Sequence, residues 1–215
     1  PREKFGVMTQ PGTVAGTLTE QVQEATGLGA VPVIAVAGHD TGSAVAAVPA
    51  KDKEYAYLSC GTWSLLGIES ETAIITEDSF RENFTNEGGI EGTTRFLKNI
   101  CGLWLFEQSR KKFKDAPSSV SELVALCEES SYEGLIFPDD PSFANPPSMT
   151  AAIREYCSRT GQPAPETPAD YCRCIFRSLA LRYRQVVEIL QGMCDFPIRK
   201  LHVIGGGSQN RYLMQ

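Results

Sequence analysis

Apolar and polar positions follow two different periods along this chain, and the switches between them mark the predicted elements. Leu18, Val22 and Ala25 predict a short helix over residues 18–26 with an apolar face, stopped by Gly27. Residues 31–37 are a nearly continuous apolar run, the pattern of a strand buried on both faces. The run ends in Gly38-His39-Asp40-Thr41-Gly42, and the small residues at 43–48 predict a helix stopped by Pro49. Residues 55–60 and 63–69 predict two strands joined at Gly61-Thr62, with a third at 72–76, an antiparallel meander.

Residues 85–92 are polar and glycine-rich and predict a loop. Phe96, Ile100, Leu103 and Trp104 stand near helical spacing and predict a helix over 94–113. Ser119 and Glu122 form a capping-box pattern before Val120, Leu123, Val124 and Cys127. A proline-rich loop at 138–147 leads to a helix over 148–160 that ends at Gly161. Thr167-Pro168-Ala169-Asp170 opens the clearest amphipathic helix, with Tyr171, Ile175, Leu179, Tyr183, Val186 and Leu190 inward. Residues 201–204 predict a strand, Gly205-Gly206-Gly207 a tight turn and Ser208 an N-cap. Strands and helices are mixed, which predicts one α/β domain.

Composition narrows the function classes. The 215 residues are 42% hydrophobic and 21% charged, which argues against disorder. The formal net charge is −6, so nucleic acid is a poor partner. No apolar run approaches the ~20 residues needed to cross a bilayer, which predicts no membrane partner. Residues 1–30 hold no basic start followed by an apolar block, so no secretory signal is read there. The chain opens at Pro1 and closes at Gln215 just past a glycine cluster, and is read as a fragment of a longer cytoplasmic protein. Seven cysteines are irregularly spaced with no C-x-x-C, and His39 and His202 lie far from any cysteine pair. Buried, reduced thiols are therefore expected rather than a zinc site. Whether Cys157 meets Cys172 or Cys174 depends on which helices are neighbours.

Three segments carry candidate chemistry. Asp40 follows a predicted strand and precedes a predicted helix, where ligands of α/β folds gather. It is either a general base for a substrate hydroxyl or a helix cap. His39 either orients a polar ligand or is a satisfied buried histidine. Gly205-Gly206-Gly207-Ser208-Gln209-Asn210 is a strand–turn–helix start whose backbone N–H groups suit a phosphate or ribose, though it is neither G-x-G-x-x-G nor a Walker A motif. Gly61-Thr62 is a hairpin turn that carries a hydroxyl. Asn86-Glu87-Gly88-Gly89 and Asn99 read equally as a solvated loop and an ordinary helix-face asparagine. Residues 118–165 carry no chemistry of their own.

Five segments in this order resemble the C-terminal lobe of the FGGY carbohydrate kinases. They are Ala37-Gly38-His39-Asp40-Thr41, Ser59-Cys60-Gly61-Thr62-Trp63-Ser64, Thr85-Asn86-Glu87-Gly88-Gly89, the stretch Phe96-Leu97-Lys98-Asn99-Ile100 with Gly102-Leu103-Trp104, and the Gly205–Asn210 turn. The third and fourth point most narrowly to the members that phosphorylate L-rhamnulose, with L-fuculose or xylulose as the alternative ketoses and a non-catalytic nucleotide- or sugar-binding module as the alternative class. The resemblance implies an actin-like ATPase (ribonuclease H-like) lobe with a mixed sheet flanked by helices, spanning residues 1–215. It implies that Asp40 is the catalytic base and that His39, Asp40, Thr41 and Asn99 bind the sugar. Thr62 and Gly205, Gly206 and Gly207 would bind the nucleotide. It also implies ATP with Mg²⁺, the metal anchored mainly by an N-terminal lobe that would be this chain's partner, with no metal ligand of its own. One position departs from the family pattern: where a glutamine near the nucleotide is common, this chain has Glu107, with Gln108 beside it.

Overall fold

A computed structural model describes residues 2–114 and 116–215. Short β1 (Val14–Thr17) and β2 (Pro32–Ile34) pair antiparallel and enclose α1 (Glu20–Thr26). α2 (Asp40–Ala46) follows, then β3 (Tyr55–Cys60) and β4 (Trp63–Ser70). α3 (Glu77–Arg81) leads to β5 (Thr85–Gly88), β6 (Thr94–Cys101) and α4 (Trp104–Arg110). Helices α5 (Val120–Glu129), α6 (Met149–Arg159) and α7 (Pro168–Gln191) precede β7 (Lys200–Ile204) and a 3₁₀ turn, Gly206–Gln209.

The main sheet runs β5-β6-β4-β3-β7. Its first four strands are antiparallel neighbours, whereas β7 returns beside β3 in parallel, Tyr55 opposite Lys200 and Ser59 opposite Ile204. One face carries Leu58, Leu66, Ile68, Phe96 and Ile100 against Ile175, Leu179 and Val186 of α7, and this is the main core. The other face carries Tyr57 and Leu97, which pack with Val45 of α2. Alternation along β3 and β6 assigns these sets to opposite faces. Thr167 and Asp170 close a reciprocal capping box at the start of α7, as the sequence predicts. Among the described residues no helix is long and apolar enough to cross a membrane.

Several expectations are corrected. Residues 94–101 are a strand, not the start of a helix: Phe96 and Ile100 are four apart, a spacing that serves both periods, and the ladders to β4 and β5 decide it. The polar 85–88 segment is the edge strand β5 rather than a loop, because its side chains find partners. Asn86 accepts from Ile74 N (2.9 Å) and donates to Ile74 O (3.0 Å). That clasp leaves 72–76 outside the ladder, so no third strand forms there, and Thr76 instead caps α3. The apolar run at 31–37 is not buried: only Pro32–Ile34 is a strand, paired to one neighbour, and Val36 is 68% exposed. Likewise α1 has no buried residue. Ser119 bonds Ser121 rather than closing its box with Glu122. Gly205, not Ser208, is the N-cap of the last turn, and the Ser208 hydroxyl donates back to Gly205 O at 2.7 Å.

All seven cysteines are free, and every one but Cys194 is buried. Cys157 of α6 and Cys127 of α5 share the main core with Cys172 and Cys174 of α7, and the Tyr132 hydroxyl lies 3.4 Å from Cys157 Sγ.

Candidate functional site

The parallel pairing of β3 and β7 brings two turns together at the carboxyl ends of adjacent strands. Gly61-Thr62 turns the β3–β4 hairpin, and Gly205–Gly207 follows β7. Gly205 has φ +87°, the left-handed region that favours glycine, and a Cβ there would stand 2.8 Å from Cys60 O. A Cβ on Gly207 would also stand 2.8 Å from that oxygen and would collide with the Cys60 sulphur, whereas one on Gly206 would meet nothing within 4 Å. The turn is thus clamped against β3 at its two ends and open in the middle.

The hairpin turn is fixed from its other side. Leu103 N donates to Gly61 O at 2.9 Å and Trp104 N to Thr62 O at 3.0 Å, so α4 starts on the hairpin. Beneath it the Tyr183 hydroxyl bonds Ser64 Oγ at 2.7 Å and reaches Cys60 Sγ at 3.7 Å. Burial pushes the Tyr183 phenol well up. Burial pushes the Cys60 thiol up too, against the hydrogen bonds from Tyr183 and Ser64, so Cys60 is no nucleophile at neutral pH.

Thr62, Trp104, Glu107, Gln108, Gly206, Gly207 and Asn210 line one cavity of about 630 Å³, the size of a ligand pocket. Its residues fit a nucleotide: between the clamped ends of the glycine turn, Gly206 leaves an open cradle that a side chain would fill. Glu107 does line it, but Arg110 Nε holds its carboxylate at 2.8 Å.

The other candidates stand elsewhere. His39 is the N-cap and Asp40 the first residue of α2. Asp40 Oδ1 accepts the Thr41 N–H at 2.7 Å, closer than His39 Nδ1 at 3.2 Å. His39 Nδ1 lies 3.0 Å from the same carboxylate oxygen. The Thr41 N–H is thus shared between the two acceptors, a three-centre bond at the start of α2. The Asp40 side chain is 93% exposed and His39 is exposed rather than buried, because both precede the helix body. Asn99 lies on strand β6, not on a helix, and lines a separate pocket of about 320 Å³ with Trp63, Lys98, Asp139 and Arg182. Burial, helped by Arg182, pulls the Lys98 ammonium down.

Sequence reasoning missed two supports. The Tyr183–Ser64–Cys60 network carried no signal beyond an apolar helix period. The Arg95–Glu87 pair, 3.0 Å across the β5–β6 ladder, gave a charged residue in what read as a helix.

The sequence profile of the FGGY family of carbohydrate kinases, C-terminal domain, matches residues 56–215. The chain belongs to this family. Among FGGY relatives, the rhamnulokinase of Bacteroides thetaiotaomicron is 58% identical over 99% of this chain and 44% of its own length. That of Pectobacterium atrosepticum is 46% identical over 100% of this chain and 42% of its own. The chain therefore spans less than half the length of these curated relatives. The crystal structure of a xylulose kinase from Rhodospirillum rubrum superimposes with a TM-score of 0.61 at 20% identity, over 96% of this chain and 41% of that one, and shares the fold. The mixed sheet flanked by helices that the resemblance implied is the fold of this FGGY chain.

Proposed function

We propose that the full-length protein transfers the terminal phosphoryl group of MgATP to the 1-hydroxyl of L-rhamnulose, giving L-rhamnulose 1-phosphate and ADP in the cytoplasm. The 58% identity to the Bacteroides rhamnulokinase carries this reading, and the family resemblance suggests the roles. Asp40 takes the hydroxyl proton as the sugar oxygen attacks, while the bond to ADP breaks. Its exposure and its single N–H partner leave a carboxylate oxygen free to accept that proton. His39 and Thr41 stand against the sugar with Asp40, and Asn99 contacts it from β6. Thr62 and the Gly205–Gly207 turn hold the phosphates, with Trp104 and Gln108 further along the cavity. Mg²⁺, entering with the nucleotide, neutralises phosphate charge when bound.

Among the described residues no group of three or more His, Cys, Asp or Glu could hold a metal ion. By the family resemblance, the metal anchor is assigned to the N-terminal lobe. The C-terminal lobe is assigned to residues 1–215, of which the family profile matches 56–215. The fragment alone does not turn over sugar.

The test is ADP release by the full-length protein with MgATP and a ketose panel, beside its Asp40→Asn variant. Preferential turnover of L-rhamnulose, lost in the variant while sugar still binds, is expected. Preference for L-fuculose or xylulose would overturn the substrate, and binding of both ligands with no ADP release would overturn the kinase.

A further inference from the structure

Arg95 is a buried charge on β6, beneath the first turn of α2. Its side chain is 4% exposed. Nε donates to Gly88 O at 3.2 Å and Nη2 to Glu87 Oε2 at 3.0 Å, both on the edge strand β5. Nη1 is buried with no partner among the described residues. A buried ion pair of this kind is a weak source of stability, since an apolar residue of similar size often serves as well. Its geometry therefore needs another reason.

That reason lies directly above the guanidinium. A Cβ on Gly42 would stand 3.2 Å from Arg95 Cζ and Nη2, so the backbone of the first turn of α2 rests on the guanidinium. Gly42 is two residues past Asp40. The Asp40 side chain is almost wholly solvated and makes contacts only within its own turn, to Thr41 and His39. Nothing but the turn beneath it fixes where its carboxylate stands. Val45 seats the body of α2 on Tyr57 and Leu97, while its first turn rests on Arg95, whose guanidinium is held by the fork to Glu87 and Gly88.

We propose that Arg95, held by Glu87, is a positioning residue for Asp40. The proposal rests on the reading of Asp40 as the base. Arginine suits the task because its planar fork holds two acceptors at a fixed angle, which a lysine ammonium does not. The Thr85-Asn86-Glu87-Gly88-Gly89 segment then gains a role: an edge strand that aims Arg95 rather than a solvated loop.

The experiment compares full-length Arg95→Lys, Arg95→Met, Glu87→Gln and Gly42→Ala with Asp40→Asn, by kcat, by KM for L-rhamnulose and MgATP, and by thermal melting. A displaced base lowers kcat, and Arg95→Lys is expected to lose about 10–100-fold with KM for MgATP unchanged. Gly42→Ala presses a methyl against the guanidinium without removing its charge, and is expected to lower kcat in the same way. Glu87→Gln keeps an acceptor for Nη2 and is expected to recover most of the activity. If Arg95→Met does not fold, Arg95→Lys and Gly42→Ala decide the matter. Full kcat per folded molecule in both, with only the melting temperature lowered, would overturn the positioning role while leaving the base in place. Turnover by Asp40→Asn would overturn the base, and the positioning role with it.

Discussion

The Tyr183 hydroxyl meets Ser64 Oγ at 2.7 Å, joining the middle of α7 to the strand just past the Gly61-Thr62 turn. Both groups are buried, so removing one strands the other. Tyr183→Phe is expected to destabilise the protein by about 1–3 kcal/mol in urea titrations. The Ser64→Ala, Tyr183→Phe double variant should lose less than the two singles together. Strict additivity would show that the bond does not tie helix to hairpin.

The glycine turn offers an internal control. Gly207→Ala must displace Cys60 or the turn itself, and is expected to raise KM for MgATP by roughly tenfold through overpacking. Gly206→Ala meets no atom within 4 Å and should leave the melting temperature unchanged, whereas Gly207→Ala should lower it. Equal melting temperatures of the two variants would contradict the clamped turn.

The half-exposed Glu107 carboxylate is already matched by Arg110, and pairs of this kind are worth little. Glu107→Gln is expected to change KM for MgATP by less than about threefold, measured by steady-state kinetics. A large fall would mean that the carboxylate repels phosphate despite Arg110.

Much of this architecture is legible in the sequence, and the failures share a cause. α7 is readable because its cap, first-turn proline and apolar period all agree. The two glycine turns are readable because close backbone approach admits few other residues. β6 is not, because four-residue spacing fits either period and because its polar members Arg95 and Lys98 are buried by partners elsewhere in the chain. β5 is hidden for the complementary reason: its polar side chains bond to Ile74 and Arg95, a satisfaction that only tertiary structure reveals. Asp40 was visible from its glycine neighbours; the guanidinium beneath its helix was not.

The cap of α7 responds to pH. Burial pushes the Asp170 carboxyl up, but hydrogen bonds from Ser130 and Thr167 outweigh it and hold its pKa below the ordinary value of 3.8. A depressed carboxylate stabilises the fold fully above its unfolded pKa and loses that contribution as the pH falls through the folded one. Asp170→Asn is expected to cost about 1 kcal/mol at pH 7. The gap from the parent protein should close below about pH 3.8, measured by thermal melting across pH. A gap independent of pH would show that the charge is not what holds the cap.

The parallel ladder of β3 with β7 also orders events in time. Tyr55 waits for Lys200, and every helix of the core layer emerges between them. Contacts so distant along the chain form late, after the intervening loop entropy has been overcome. The hairpin turn exists early in synthesis, but the cavity it shares with Gly206 and Gly207 closes only when the last strand docks. Nucleotide capture would then report completion of the sheet, and a ligand that binds there would selectively stabilise chains that have finished folding.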